Sequence, residues 1–229
     1  IYSVTLDMQG GSVTGMPETF YIVQVQYLYE MPAAPMPSKY GYIFKGYYTE
    51  INGGGTQYYD SNMTNVKNWD IASSTTLFAY WQGNQYVVSF DRNGGSGGSI
   101  NTIVTYGAVI NVSGLVAPTR TGYIFLGYYD MDNKQYFDSD MSSNVIWDKT
   151  TAYTLKAKWK NKSYTISLNN IVNCGTAYSS FTARYGEPLP QFIMRAPERE
   201  GYAFVGYFRE IKGQGRQFYK MVKYNDQHT

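Results

Sequence analysis

Hydrophobic and polar residues alternate with a period of two in short runs, and the runs recur along the chain. Ile1 to Asp7 puts Tyr2, Val4 and Leu6 on one face; Tyr86, Val88 and Phe90, then Tyr164, Ile166 and Leu168, repeat the arrangement. This is the pattern of half-buried strands. Each run is followed by a return strand, with Val23, Val25 and Tyr27, then Thr102, Val104 and Tyr106, then Phe181, Ala183 and Tyr185 on one face. Between the second pair lies Asp91-Arg92-Asn93-Gly94-Gly95-Ser96-Gly97-Gly98, whose Asn-Gly and extra glycines supply the positive φ angles of a hairpin loop. A later strand carries Tyr42, Phe44 and Tyr48, expected to share a face with Gly46, where a glycine lets another group approach closely. The last strand directs Leu77, Ala79 and Trp81, and later Leu155, Ala157 and Trp159, inward. No segment has a long helical period with caps. Ser61 to Ser73 and Ser139 to Thr150 each have room for one short helical turn.

These elements are copies. Gly41-Tyr42-Ile43-Phe44-Lys45-Gly46-Tyr47-Tyr48 recurs as Gly122-Tyr123-Ile124-Phe125-Leu126-Gly127-Tyr128-Tyr129 and again as Gly201-Tyr202-Ala203-Phe204-Val205-Gly206-Tyr207-Phe208. Pro37, Pro118 and Pro197 stand four places before each copy, and Gln57-Tyr58-Tyr59, Gln135-Tyr136-Phe137 and Gln217-Phe218-Tyr219 follow. Trp69-Asp70 and Trp147-Asp148 then precede the last strands. Self-similarity at a fixed period defines an array of modules: residues 1–83, 84–160 and 161–229. The third is expected to lack its closing strand, because its Trp pair would fall about ten and twenty-two residues past Tyr219 and the chain ends at Thr229. An unclosed module leaves a strand edge unpaired. The linkers, Gln82 to Gln85 and Lys160 to Lys162, are short enough to predict an extended, semi-rigid array. The fold class expected is mostly β, in small modules of four or five strands.

Composition narrows the function classes. The chain is 43% hydrophobic and 16% charged, so it can build real cores. Its net charge of +2 points to neither nucleic acid nor an anionic membrane as the main partner. No apolar run approaches the roughly 18 residues of a membrane span. One Cys, Cys174, excludes a disulfide within the chain and a cysteine metal site, and one His, His228, has no acid–base partner beside it. With neither an initiating Met nor a signal peptide, the chain reads as a fragment of something longer.

Phe90-Asp91-Arg92-Asn93-Gly94-Gly95, Val104-Thr105-Tyr106-Gly107, Pro118 through Gly122-Tyr123-Ile124-Phe125-Leu126-Gly127-Tyr128-Tyr129, and Thr154-Leu155-Lys156-Ala157-Lys158-Trp159 form one ordered pattern. It resembles the Listeria–Bacteroides repeat, also called the internalin-type B repeat. The second module matches over almost its whole length. The first and third are looser: Gln9-Gly10-Gly11 and Asn173-Cys174-Gly175 stand in place of Asn-Gly-Gly, and Tyr47, Tyr128 and Tyr207 stand where the family usually has Trp. The resemblance implies a β-grasp-like (α+β) module, in tandem, on bacterial surface proteins, with no enzymatic activity.

The remaining motifs have ordinary readings. Asp130-Met131-Asp132-Asn133 and Asp138-Ser139-Asp140 suggest a calcium loop only superficially, since the required Gly is absent and the first module has Thr49-Glu50-Ile51-Asn52; hairpin-turn chemistry is the expectation. Gly94 to Gly98 lacks the Lys-Ser/Thr and helix of a phosphate loop. No catalytic, metal or cofactor residue is assigned. One outward pair stands out: Phe78 and Tyr80 occupy positions where the second module has Lys156 and Lys158. Exposed aromatics where a sister module is charged predict a contact surface, for a neighbouring repeat, a host or bacterial surface protein, or a glycan. Three roles follow: an extracellular, cell-surface or wall-attached stalk; an adhesin module; or a subunit of a self-assembling filament.

Overall fold

A computed structural model describes residues 1–168, 180–189, 197 and 199–220; Cys174 and His228 lie outside the described residues. Among the described residues the protein is nearly all β, with 43% strand and 3% helix. It divides into two units, one of residues 1–118 and 125–158, the other of 119–124 and 159–229.

Two five-stranded sheets repeat one topology. The first is built from β1 (Tyr2–Asp7), β2 (Phe20–Val25), β3 (Tyr42–Tyr48), β4 (Gln57–Tyr59) and β5 (Thr75–Gly83), in the order β2-β1-β5-β3-β4. The second uses β6 (Gln85–Asp91), β7 (Asn101–Thr105), β8 (Tyr123–Tyr129), β9 (Gln135–Phe137) and β10 (Tyr153–Asn161), in the order β7-β6-β10-β8-β9. In both, the last strand enters the middle and pairs in parallel with the first: Val4 with Thr75 through Asp7 with Phe78, and Val88 with Tyr153 through Asp91 with Lys156. Of the predicted inward faces, Val4, Leu6, Val23, Val25, Leu77 and Ala79 are buried in the first core and Tyr2 and Trp81 pack against it half-buried, whereas Tyr27, Tyr164 and Tyr185, at or beyond the strand ends, are exposed. Each buried Val or Leu among them contributes about 1.5–3 kcal/mol. The hairpin loop after β6 takes its expected conformation, with positive φ at Asn93, Gly94, Gly97 and Gly98.

The Gly-Tyr-x-Phe-x-Gly strand departs from the expected alternation. The register of β3 against β5 shifts between Phe44 and Gly46. This bulge inserts one residue, so the period of two restarts half a step later. Tyr47, and not Tyr48, therefore joins Phe44 in the core, while Tyr48 turns to the other face; Tyr128 is buried in the same way. Gly46 and Gly127 hold the bulge at φ 125° and 126°. At Gly46 an added Cβ would lie 2.2 Å from the Tyr59 carbonyl oxygen. The Gln57 amide donates to the carbonyls of Lys45 and Tyr59, both at 3.1 Å, and fixes the bulge.

The expected helical turn lies elsewhere. Short 3-10 turns occur at Ile51–Gly53 and Ile211–Gly213, whereas the Ser61–Ser73 and Ser139–Thr150 segments are tied crosswise. The Trp69 backbone N–H donates to Tyr29 and its carbonyl accepts from Leu28. Trp147 is tied likewise to Ala108 and Gly107. Both indoles are fully buried. A backbone committed to a distant loop has no i→i+4 partner to give a helix.

The second unit holds two separate two-stranded sheets. β11 (Ser163–Ser167) pairs antiparallel with β12 (Ser180–Arg184), and β13 (Gly206–Phe208) with β14 (Gln217–Lys220). Among the described residues no strand joins them.

Candidate functional site

Two features carry functional information: the joints between successive modules and the outward face of the first sheet. The joints are tighter than the predicted linkers of three or four residues. β5 runs to Gly83 and β6 starts at Gln85; β10 runs to Asn161 and β11 starts at Ser163. Only Asn84 and Lys162 lie between. Each is held on both sides. The Asn84 N–H donates to the Gly41 carbonyl at 2.9 Å, and its carbonyl accepts from the Tyr106 N–H at 2.9 Å. In the second unit Lys162 N–H donates to Gly122 at 2.8 Å and accepts from Tyr185 at 2.9 Å.

A tyrosine closes each joint. Tyr106 packs edge-on to Tyr42, with ring centroids 5.3 Å apart, and to Tyr40 at 6.4 Å. Tyr185 meets Tyr123 at 5.6 Å. Each ring lies directly on a glycine at φ +82°: an added Cβ would sit 2.4 Å from the Tyr106 ring at Gly41, and 2.2 Å from Tyr185 at Gly122. Lys39 and Arg120 stack over the opposing Tyr42 and Tyr123 rings at 4.7 and 3.9 Å. The Tyr40 hydroxyl also meets Thr150 Oγ1 at 2.6 Å.

Phe78 and Tyr80 share the outward face of β5, as predicted, but both are half-buried. Tyr80 is covered by its own module. It meets Tyr48 edge-on at 5.9 Å and 88°, and lies against Gly53 of the 3-10 turn. Tyr48 reaches this face because of the bulge, and burial followed by Tyr80 raises its pKa above the ordinary value. Phe78 stands in a row across four strands, since Phe20 pairs with Asp7, Asp7 with Phe78, and Phe78 with Tyr48. Phe20 and Ile22 on β2 lie on this face beside Asp7 and Thr5 and are 44% and 50% exposed, so aromatic and aliphatic groups alternate there with polar ones. Sequence reasoning missed both, although β2 alternates them against the buried Val23 and Val25. The second module keeps the acid, with Asp91 in the place of Asp7, but sets lysines where the first has Phe78 and Tyr80: Asp91 pairs with Lys156, and Lys158 stacks over Tyr129 at 4.1 Å.

The acidic turns act within the fold. The buried Asp130 carboxylate accepts from the N–H groups of Asp132 and Lys134 at 3.0 and 2.8 Å and pairs with Lys149 at 3.0 Å. Burial raises its pKa, but Lys149 and the turn amides outweigh that, and the net shift is downward. Asp148 accepts from the Tyr136 hydroxyl at 2.5 Å and from Lys134 at 2.6 Å. Its pKa is likewise lowered against the cost of burial. Tyr58 donates to Asp70 in the first module. These are turn and core contacts. Among the described residues no helix is long and apolar enough to cross a membrane.

The fold defines a tandem-repeat β protein. The chain belongs to the Listeria-Bacteroides repeat domain family, whose model matches residues 2–80 and 86–158. It is 31% identical over 222 residues to a protein of Evansella cellulosilytica named "Putative membrane protein", covering 92% of this chain and 28% of that one. A second protein of that organism, "Putative Gly-rich membrane protein", is 30% identical over 225 residues, covering 92% of this chain and 22% of its own length. Internalin H of Listeria monocytogenes is 32% identical over 136 residues, which is 56% of this chain and 20% of that protein. The chain thus spans less than a third of the length of these relatives. No solved structure matches it significantly.

Proposed function

We propose that the chain is a non-enzymatic structural segment of a bacterial cell-surface protein, made of three copies of the repeat, that carries tension between the parts it joins. The central parallel pair of each closed module carries this reading. Tension along the chain enters β1 at its first residue and leaves β5 at its last. Because the strands are parallel neighbours, pulling slides one past the other and loads the bonds of the ladder together. An antiparallel pair pulled apart from one end loses its bonds one at a time. The same applies to β6 and β10. One-residue linkers, each hydrogen-bonded on both sides, add almost no slack. Single-molecule pulling from the chain ends tests this. The first two modules should each give a discrete high-force event, releasing about 3.3–3.6 Å of chain per residue. Smooth extension at low force would remove the proposal.

The Phe20–Asp7–Phe78–Tyr48 row favours a second, compatible role: contact with a host or bacterial surface protein or glycan, since aromatic faces offer large contact area and the carboxylate among them accepts hydrogen bonds. Labelled chain should bind such surfaces saturably, and Phe78→Lys with Tyr80→Lys should abolish that binding. Binding at background level on both host and bacterial cells would leave the structural role alone.

A further inference from the structure

Two demands meet at one residue just past the second strand of each module. The strand pairing makes the positions equivalent: Tyr2 pairs with Val25, Tyr86 with Val104 and Tyr164 with Ala183, and three residues further on stand Leu28, Gly107 and Gly186. The first demand is internal to the module. The Gly107 N–H donates to the Trp147 carbonyl at 2.9 Å, and the Leu28 N–H to the Trp69 carbonyl at 2.6 Å. The next residue completes the match, since the Trp147 N–H donates to Ala108 and the Trp69 N–H to Tyr29. With the chain tied to the tryptophan loop in this way, the residue sits in the left-handed region, at φ 69° in Leu28, 72° in Gly107 and 73° in Gly186.

The second demand comes from the copy on the other side of the joint. An added Cβ at Gly107 would sit 2.0 Å from the Tyr42 hydroxyl oxygen, and at Gly186 it would touch that of Tyr123 at 3.4 Å. Tyr42 does not swing aside cheaply, because Lys39 at 4.7 Å and Tyr106 at 5.3 Å both engage its ring. Glycine meets both demands. Leucine meets neither: its branched side chain is disfavoured at this backbone, and its carbons would enter space that the joint fills. The first copy therefore keeps the backbone of a joint-forming residue and discards the side-chain condition. We propose that Leu28 closes this face of the first copy, so that a repeat carrying a tyrosine at the place of Tyr42 cannot form the tyrosine joint there. Tyr29, where the second copy has Ala108, sets a second bulky group beside it. Building a clash against one partner is a direct route to specificity, and here one position decides whether a module accepts a neighbour of its own kind. The proposal stands apart from the load-carrying role, since it concerns which faces join and not what force a joint bears.

The test tries the joint in both directions. Residues 1–84 placed ahead of Ile1 of the whole chain bring a Tyr42 and an Asn84 linker to the face that carries Leu28. Amide hydrogen exchange at Tyr27 of the following copy reads closure, because its counterpart, the Tyr106 N–H, donates to the Asn84 carbonyl in the first joint. With Leu28 in place, Tyr27 should exchange as it does in the original chain. With Leu28→Gly in that copy, its exchange should slow at least about tenfold. In the original chain, Gly107→Leu should speed exchange at Tyr106 at least about tenfold, while the Trp147 N–H stays protected, since the first module holds the same tie with a leucine present. Slowed exchange at Tyr27 with Leu28 in place would overturn the proposal, as would a joint that stays open after Leu28→Gly, or a Tyr106 that stays protected after Gly107→Leu. Loss of protection at Trp147 would overturn it too, because the two positions would then not be equivalent.

Discussion

The joints make a quantitative prediction at Gly41. Replacing it with Ala acts twice. The backbone at φ +82° costs an L-residue about 1–2 kcal/mol. The new Cβ, placed 2.4 Å from the Tyr106 ring, must also push that ring off Tyr42 and Tyr40. Two aromatic pairs, at about 0.5–1.5 kcal/mol each, add about 1–3 kcal/mol. The single variant should therefore lose about 2–5 kcal/mol. In a Tyr106→Ala background the ring is gone, and Gly41→Ala should cost only the backbone part, about 1–2 kcal/mol. Urea unfolding of the four chains of this cycle, followed by tryptophan fluorescence, reads the difference. A coupling of about 1–3 kcal/mol is expected. Costs that add to within about 0.5 kcal/mol would mean that Tyr106 does not rest on Gly41, and the joint as described would be wrong.

Other perturbations follow from the same geometry. Asp130 has a folded pKa below its ordinary value, so the stability it contributes is present above the ordinary carboxylate range and lost as pH falls through the folded value. Asp130→Asn should lower stability at neutral pH by about 1–3 kcal/mol and flatten the acid limb of an unfolding-against-pH curve; an unchanged acid limb would refute the assignment. Tyr128 is pushed up to about 12, mainly by burial, and Tyr47, Tyr59 and Tyr136 are raised as well. The folded state holds these protons more tightly, so stability is intact below the ordinary tyrosine value of 10.0 and falls as pH rises above it. Absorbance at alkaline pH should accordingly show exposed tyrosines ionising first and a second group appearing only with unfolding; a single smooth titration would contradict this. Trp147→Ala should cost about 3–5 kcal/mol in urea unfolding, because the indole is fully buried, and a loss below 1 kcal/mol would show that the loop does not anchor the module.

Much of this architecture was legible because the repeated residues are those with the strictest local requirements. Alternation placed the inward aliphatic residues of β1, β2 and β5. The bulge at Gly46 was not legible, since one inserted residue looks like continued alternation until a partner strand shows where the register slips. That slip put Tyr48 beside Tyr80 and Tyr47 in the core. The joints were half legible: Tyr27, Tyr106 and Tyr185 are evenly spaced, but the glycines under Tyr106 and Tyr185 lie some 65 residues away in the preceding copy. Phe78 and Tyr80 were identified by contrast with Lys156 and Lys158. Their neighbours Phe20 and Ile22 needed the β1–β2 register, because a face is a property of paired strands and not of one.

Pulling a single closed module in two directions tests the proposed mechanical role most directly. In a Cys174→Ser background, handles at Ser3 and Gln82 load β1 and β5 in shear, whereas handles at Ser3 and Ser74 start at the same end of the pair and peel it open. The account predicts that the first geometry unfolds at clearly higher force than the second. Equal forces, or a weaker response in shear, would contradict the claim that these repeats are built to carry tension.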